Sequence, residues 1–429
     1  MDRFAHVYFC HSLGLKIRAV THTKMNQIKD YCNALIRADR EDGDVPTRLI
    51  ALKEKLGEQE TIPLKEYRWL THTLKHFAPT GKHVVIINDI DIMLSPSNIR
   101  NGKAGAGSEE ALLIVAEGLA KRGYRVTVIC TTSPTAGYTL PSFNPRFYPT
   151  RGLDTLDMKV DVCLAWRNTR FFRYSALTGA PVISIQHDWF HAPFGVRALD
   201  AVGYMSKYQM DAFLAGIPGL KPLPNVVLGN GVDLTEFESR QPRVQTRCVY
   251  LAAYHRGLRG VLEAWPAVIK EHPDAELHIY YGRECWGLIT QDEMNRLVSM
   301  MDQPGVKEMG RVSHGELAKA ICQASFMVNV SSFKETYSIV TAKALAGGCI
   351  PIITNTIDSS IVPPSVQLID HTAPDAVSQF KDQLVEMMNR AKAGDLEDLR
   401  AECQAWASEH LTWDASIDRY AQLIESVIS

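Results

Sequence analysis

Glu335 stands in "SSFKETYSIVTAKALAGGCIPIIT", residues 331–354. A strand-like run, "FMVNVSSF", leads into it, and a helical stretch follows until Gly347 and Gly348. That pattern puts Glu335, Thr336, Tyr337 and Ser338 at a helix N-terminus on the ligand edge of a sheet. Amides exposed there hold a phosphate, and the carboxylate accepts hydrogen bonds from sugar hydroxyls. In a purely structural role, Glu335 would be a first-turn acid facing the helix dipole.

Three further stretches carry chemistry-bearing residues. In "NGKAGAGSEEALLIVAEGLAKRG", a loop with Gly102, Gly105 and Gly107 opens a helix whose first turn holds Ser108, Glu109 and Glu110. Glycines let backbone amides approach a ligand closely, although the spacing is not the dinucleotide fingerprint. "ISIQHDWFH" places His187 and Asp188 at the C-terminal end of a strand, where open parallel sheets bind ligands. His187 reads as a donor to a sugar hydroxyl or as a loop histidine, and Asp188 as a cap. "LAAYHRGLRGVLEAW" sets Arg256 and Gly257 between a strand and a helix, where a guanidinium suits a diphosphate in charge and geometry. Arg259 supports it or pairs with Glu263 at i,i+4.

These stretches need a scaffold. From Lys82 onward, short apolar runs alternate with amphipathic segments. "HVVIIN", "YRVTVIC", "DVCLAW", "PVISIQH", "AVGYMS" and "NVVLGN" read as strands. After a polar stretch, "LTEFESRQPRVQT", the pattern restarts with "RCVYLAA", "AELHIYY", "VKEMGR", "FMVNVS", "IPIIT" and "VQLID". Strands apolar on both faces, joined by helices, mean parallel sheets covered on both sides. The expectation is an α/β protein of two Rossmann-like doubly wound domains, residues 82–240 and 241–411, facing a cleft. Residues 412–429 form a C-terminal helix that crosses back to the first domain. Residues 1–81 read as a helical extension, with 13 Lys and Arg against 10 Asp and Glu, a formal +3. Its role is packing on the first domain, or acceptor or partner binding.

Composition narrows the classes. Of 429 residues, 46% are hydrophobic and 22% charged, as in ordinary globular proteins, and no apolar run approaches the ~20 residues of a membrane span. The formal net charge of −2 gives no general argument for nucleic acid or an anionic membrane. Nine scattered cysteines without a CxxC pair read as reduced, buried thiols, and the start has no secretory pattern. A cytoplasmic location is expected.

The four motifs, taken in chain order, resemble the retaining glycosyltransferases of the GT-B fold, especially glycosyltransferase family 4. "LPNVVLGNGVDLTEF", with Asn230, Gly231, Val232 and Asp233, is similar to that family's interdomain "NGVD" signature. The resemblance runs from Lys82 to the C-terminus and implies a nucleotide-diphosphate sugar held mainly by the second domain, without a metal or other cofactor. It implies catalytic roles for His187, Arg256 and Glu335. It assigns donor binding to Gly105, Ala106, Gly107, Gly310, Arg311, Val312, Thr336, Tyr337, Ser338 and Lys343. Attack would come from the face the diphosphate leaves, so no pair of carboxylates about 5–5.5 Å apart is sought. The acceptor stays open: a glycan, a lipid-linked glycan, a protein hydroxyl or a hydroxylated DNA base.

Two positions depart from the family pattern. Lys343 stands where a second acid holds the nucleotide ribose, and Leu251 where many members carry a further arginine. A lysine donates three hydrogen bonds and accepts none, so ribose recognition cannot follow the usual form. The alternative reading is a non-catalytic GT-B domain that binds a partner or a sugar nucleotide. GT-B epimerases and phosphorylases need other catalytic patterns.

Overall fold

The computed structural model describes residues 81–88, 107–130, 146–149, 159–167, 179–189, 196–238, 242–283 and 289–429. The helical readings within 1–80, and Gly102, Gly105 and Ala106 of the glycine loop, lie outside the described residues. The chain forms two compact units. Unit 1 is Met1–Ile185, Pro193–Asp200 and Val427–Ser429; unit 2 is Gln186–Ala192 and Ala201–Ser426.

Unit 1 is built on parallel strands β1 (His83–Asn88), β2 (Arg125–Cys130), β3 (Arg146–Pro149), β4 (Val162–Trp166) and β5 (Val182–Gln186, whose last residue is counted with unit 2), in the order β3-β2-β1-β4-β5. All six residues of β1 are buried, as strands covered on both faces require. Helix α1 (Gly107–Lys121) buries Ala111, Leu112, Val115, Ala116 and Leu119, the spacing of an apolar helix stripe. Sequence reading missed β3. It is short, ends in Pro149 and lies at the sheet edge, where a residue without an amide donor is tolerated.

In unit 2, β6 (Ala201–Tyr204) pairs with β7 (Asn225–Val227), and helix α2 (Lys207–Gly216) lies between them in sequence. The remaining elements are β8 (Val244–Tyr250), α3 (Leu258–Glu271), β9 (Glu276–Tyr280), α4 (Gln291–Met300), β10 (Val306–Gly310), α5 (His314–Gln323), β11 (Ala324–Asn329), α6 (Ile339–Ala346), β12 (Ile350–Ile353), α7 (Ala376–Ala393), α8 (Glu397–His410) and α9 (Trp413–Ile428). Their sheet is parallel, in the order β10-β9-β8-β11-β12. Alternate residues of β8 feed two cores. Cys248 and Tyr250 pack with α3 and α7, while Val249 and Leu251 pack with α5, α6 and α8. Helix α3 buries Leu258, Val261, Leu262, Trp265 and Val268, each of the large side chains worth about 1.5–3 kcal/mol of transfer free energy.

One expected strand is absent. "VQLID" contributes a single bridge, Ile369 to Thr354, so this sheet has five strands and not six. Pro363 and Pro364 lack amide donors and a turn follows them, which leaves Ile369 alone in register with the end of β12.

The NGVD stretch has a packing role within unit 2. The Val232 amide donates to Leu411 O at 2.8 Å, and Val232 bridges Thr412. A Cβ on Gly231 would lie 2.2 Å from Trp413 N, so only glycine admits this approach at the start of α9. Along α9, Ser416 Oγ donates to Gly229 O at 3.0 Å and Arg419 Nε to Leu228 O at 2.8 Å.

Candidate active site

In the five-stranded sheet the strand order reverses between β8 and β11. Open α/β sheets bind ligands at the carboxyl ends of strands flanking such a switch point. The chain leaving β8 reaches Arg256, and the chain leaving β11 reaches Glu335. Gly257 draws the two ends together. Its φ is +104°, and an added Cβ would lie 2.3 Å from Asn329 Oδ1 and 2.6 Å from the Val330 backbone. No L side chain fits both that dihedral and that space.

Arg256 Nη1 donates to both oxygens of Glu335, at 3.0 and 3.2 Å. The guanidinium lies over the Phe333 ring, 4.3 Å from its centroid. Arg256 Nε is buried without an acceptor, so only one of the three guanidinium nitrogens, Nη1, is engaged by the ion pair. Burial raises the Glu335 carboxyl above its ordinary range, and Arg256 pulls part of that shift back. Next to Arg256, burial and the guanidinium lower the His255 imidazole, which keeps the ring neutral at physiological pH.

Glu335 is not in a helix. Helix α6 begins at Ile339, with Ser338 as an N-cap that makes no side-chain cap bond. The residues before it bond elsewhere: the Glu335 amide donates to Thr356 O at 2.8 Å and Thr336 Oγ1 to His187 O at 3.1 Å. These tertiary bonds hold Glu335–Tyr337 out of the helix that propensity favours, so their amides are not first-turn helix donors. Trp189 Nε1 donates to Lys334 O at 2.7 Å, and Gln209 Nε2 to Asp188 O at 3.1 Å. Within unit 2, therefore, the segment from His187 to Trp189 runs against 334–336. His187 itself is buried, at 8% exposure.

The other expected residues are dispersed. Gly310 ends β10 at φ +69°, and Arg311 and Val312 follow it, with the Arg311 guanidinium 5.4 Å from the Tyr281 ring centroid. Lys343 lies in the last turn of α6 and is 8% exposed. Gly107 begins α1 in unit 1. In that helix the buried Glu109 pairs with Arg167 Nη1 at 3.0 Å, and Arg167 has φ +48°, uncommon outside glycine. Sequence reading missed Trp189, His255, Phe333 and Arg167. The first three sit inside the quoted motifs, whereas Arg167 carries no local signal. Among the described residues there is no cluster of three or more His, Cys, Asp or Glu able to hold a metal.

Parallel sheets with helices on both faces and a polar site at a switch point define an α/β ligand-binding class, here one that presents a cation–carboxylate pair. Residues 245–390, 146 of 429, match the family model described as Glycosyl transferases group 1. Arg256, Glu335 and Lys343 fall inside that match, while His187 and the glycine loop lie outside it. No curated protein matches the chain significantly. Among solved structures, HepE from Anabaena in complex with UDP and glucose is similar, with a TM-score of 0.63, 13% identity, and coverage of 80% of this chain and 100% of that one. Sucrose-phosphate synthase from Thermosynechococcus elongatus gives 0.58 at 14% identity, over 80% and 98%. The pneumococcal O-GlcNAc transferase GtfA, in complex with UDP and GlcNAc, gives 0.60 at 10%, over 81% and 99%. At these identities the likeness is one of fold. Together the findings show a GT-B-like fold and, over residues 245–390, a likeness to the group 1 glycosyltransferases. Among the described residues, no helix is long and apolar enough to cross a membrane.

Proposed function

We propose that the protein is a cytoplasmic retaining glycosyltransferase that moves a sugar from a nucleotide-diphosphate donor to an acceptor hydroxyl. The observation that carries this reading is the single-nitrogen grip of Arg256 on Glu335. One guanidinium thereby faces a carboxylate suited to sugar hydroxyls and keeps its remaining donors for a diphosphate. The C1–O bond to the diphosphate breaks as the acceptor oxygen bonds to C1 on the same face, and the acceptor proton passes to the leaving phosphate oxygen. Arg256 lowers the barrier by stabilising charge that grows on that oxygen, the electrostatic task a metal performs in other transferases. The reading therefore uses no resident metal. UDP is found in the HepE and GtfA complexes, which makes a uridine donor the first to test here.

Lys343 favours a second reading, binding of a partner or sugar nucleotide without transfer, because the ribose loses its usual carboxylate acceptor. Incubation of the chain with sugar nucleotides, followed by assay of diphosphate release and NMR of the product anomer, separates the two. Release with retained configuration supports the first. Binding without release supports the second.

A further inference from the structure

Unit 2 contains a cavity of about 300 Å³ that neither Arg256 nor Glu335 lines. Its walls include the buried side chains of Met205, Ile361 and Leu411, and its polar lining joins the donors of Tyr337, Trp406 and Arg419 to Ser206, Ser360 and His410. Tyr337 and Trp406, two half-buried residues that line it, have their OH and Nε1 atoms buried without a hydrogen-bond partner. The third donor is Arg419. Its Nε is taken by Leu228 O at 2.8 Å, and no carboxylate among the described residues forms an ion pair with its terminal nitrogens.

The Asp358 and Ser206 oxygens near the cavity already accept hydrogen bonds. Asp358 Oδ2 accepts from the Tyr208 amide at 2.8 Å, and Oδ1 from the Ser360 amide and hydroxyl at 2.9 and 2.7 Å. Ser206 Oγ accepts from the Gln209 amide at 3.1 Å as the cap of α2. His410 packs edge-on against Trp406, with centroids 4.2 Å apart. Buried donors without acceptors are costly, and Asp418, next to Arg419 in the chain, exerts a coulombic pull on the guanidinium without an ion-pair contact. A space of about 300 Å³ is large enough for a small organic molecule.

We propose that this cavity binds a small organic oxyanion, a carboxylate or a phosphate ester. Arg419 takes the charge, Tyr337 OH and Trp406 N–H complete its coordination, and the apolar walls take the carbon body. Tyr337 is two residues from Glu335, so a ligand that fixes the tyrosine also restrains the segment carrying that carboxylate. The site would thus modulate the donor loop without touching the donor.

The test is calorimetric titration of the full chain with citrate, glycerol 3-phosphate and inorganic phosphate at matched ionic strength. Because the readout is binding, it does not depend on transfer activity. Saturable binding of at least one organic anion is expected, with the stronger of the two naming the headgroup. Trp406→Phe and Arg419→Gln should each weaken it by about tenfold or more, the range of a charge-assisted hydrogen bond. Trp406→Phe keeps the ring and removes only the N–H, so it carries the test if Arg419→Gln lowers stability. No saturable binding of any of the three probes, or binding undiminished in Trp406→Phe, overturns the proposal.

Discussion

Arg256 and Glu335, 79 residues apart in the chain, meet through one nitrogen and two oxygens at 3.0 and 3.2 Å. The proposed donor site therefore depends on both strands of the switch point at once. Arg256→Gln and Glu335→Gln should each cut transfer by one to three orders of magnitude, about 1–4 kcal/mol in barrier. Because the side chains touch, the double variant should lose less than the two single losses combined. Diphosphate release by the four proteins checks this, and strict additivity would argue against a shared role.

The Glu335 carboxyl should titrate above its ordinary value of 4.5, since burial outweighs the pull of Arg256. The sign follows from linkage: a raised carboxyl pKa contributes stability below 4.5, and that contribution is lost as pH rises through the folded-state value. Arg256→Gln removes the opposing charge and should move the titration higher still. Carbon-detected NMR of the side-chain carboxyl measures both, and a midpoint below 4.5 in the wild type would contradict the account.

Gly257→Ala should damage both folding and activity. The new methyl meets Asn329 Oδ1 at 2.3 Å in a backbone conformation that alanine resists, a cost of about 2–4 kcal/mol. Chemical denaturation and donor binding should fall together. Unchanged binding in a destabilised protein would show that this close approach does not position Arg256.

Much of this scaffold is legible in the chain. Most strands of the second sheet appear as apolar runs, the edge strand β10 (VKEMG) excepted, and Arg256 and Glu335 follow two of them. What eluded the sequence is tertiary. Propensity extends the α6 helix back to Glu335, whereas the bonds of Glu335 N to Thr356 O and Thr336 Oγ1 to His187 O end it at Ser338. "VQLID" has a strand's composition but follows two prolines, and only Ile369 finds the sheet. The NGVD residues are visible as a motif, yet their docking against the start of α9 depends on residues about 180 positions away.

Lys343 sits in the last turn of α6, where a cation complements the helix dipole, and it is almost wholly buried. Lys343→Glu should therefore lower stability by about 1–3 kcal/mol, from an inverted charge at a buried helix end. It should not improve nucleotide affinity. Melting temperature and calorimetry with UDP decide this. Tighter UDP binding at unchanged stability would mean that the lysine is only a tolerated replacement for the usual acid.

The measurement closest to the central claim is calorimetric titration of the folded wild type and its Arg256→Gln variant with UDP, GDP, ADP, CDP and dTDP sugars. One donor should bind the wild type, and its affinity should fall at least about tenfold in the variant, as expected for a lost charge-assisted contact to the diphosphate. Failure of all five to bind at millimolar concentration, or equal affinity in the variant, would contradict the assignment of Arg256 and Glu335 as the donor site.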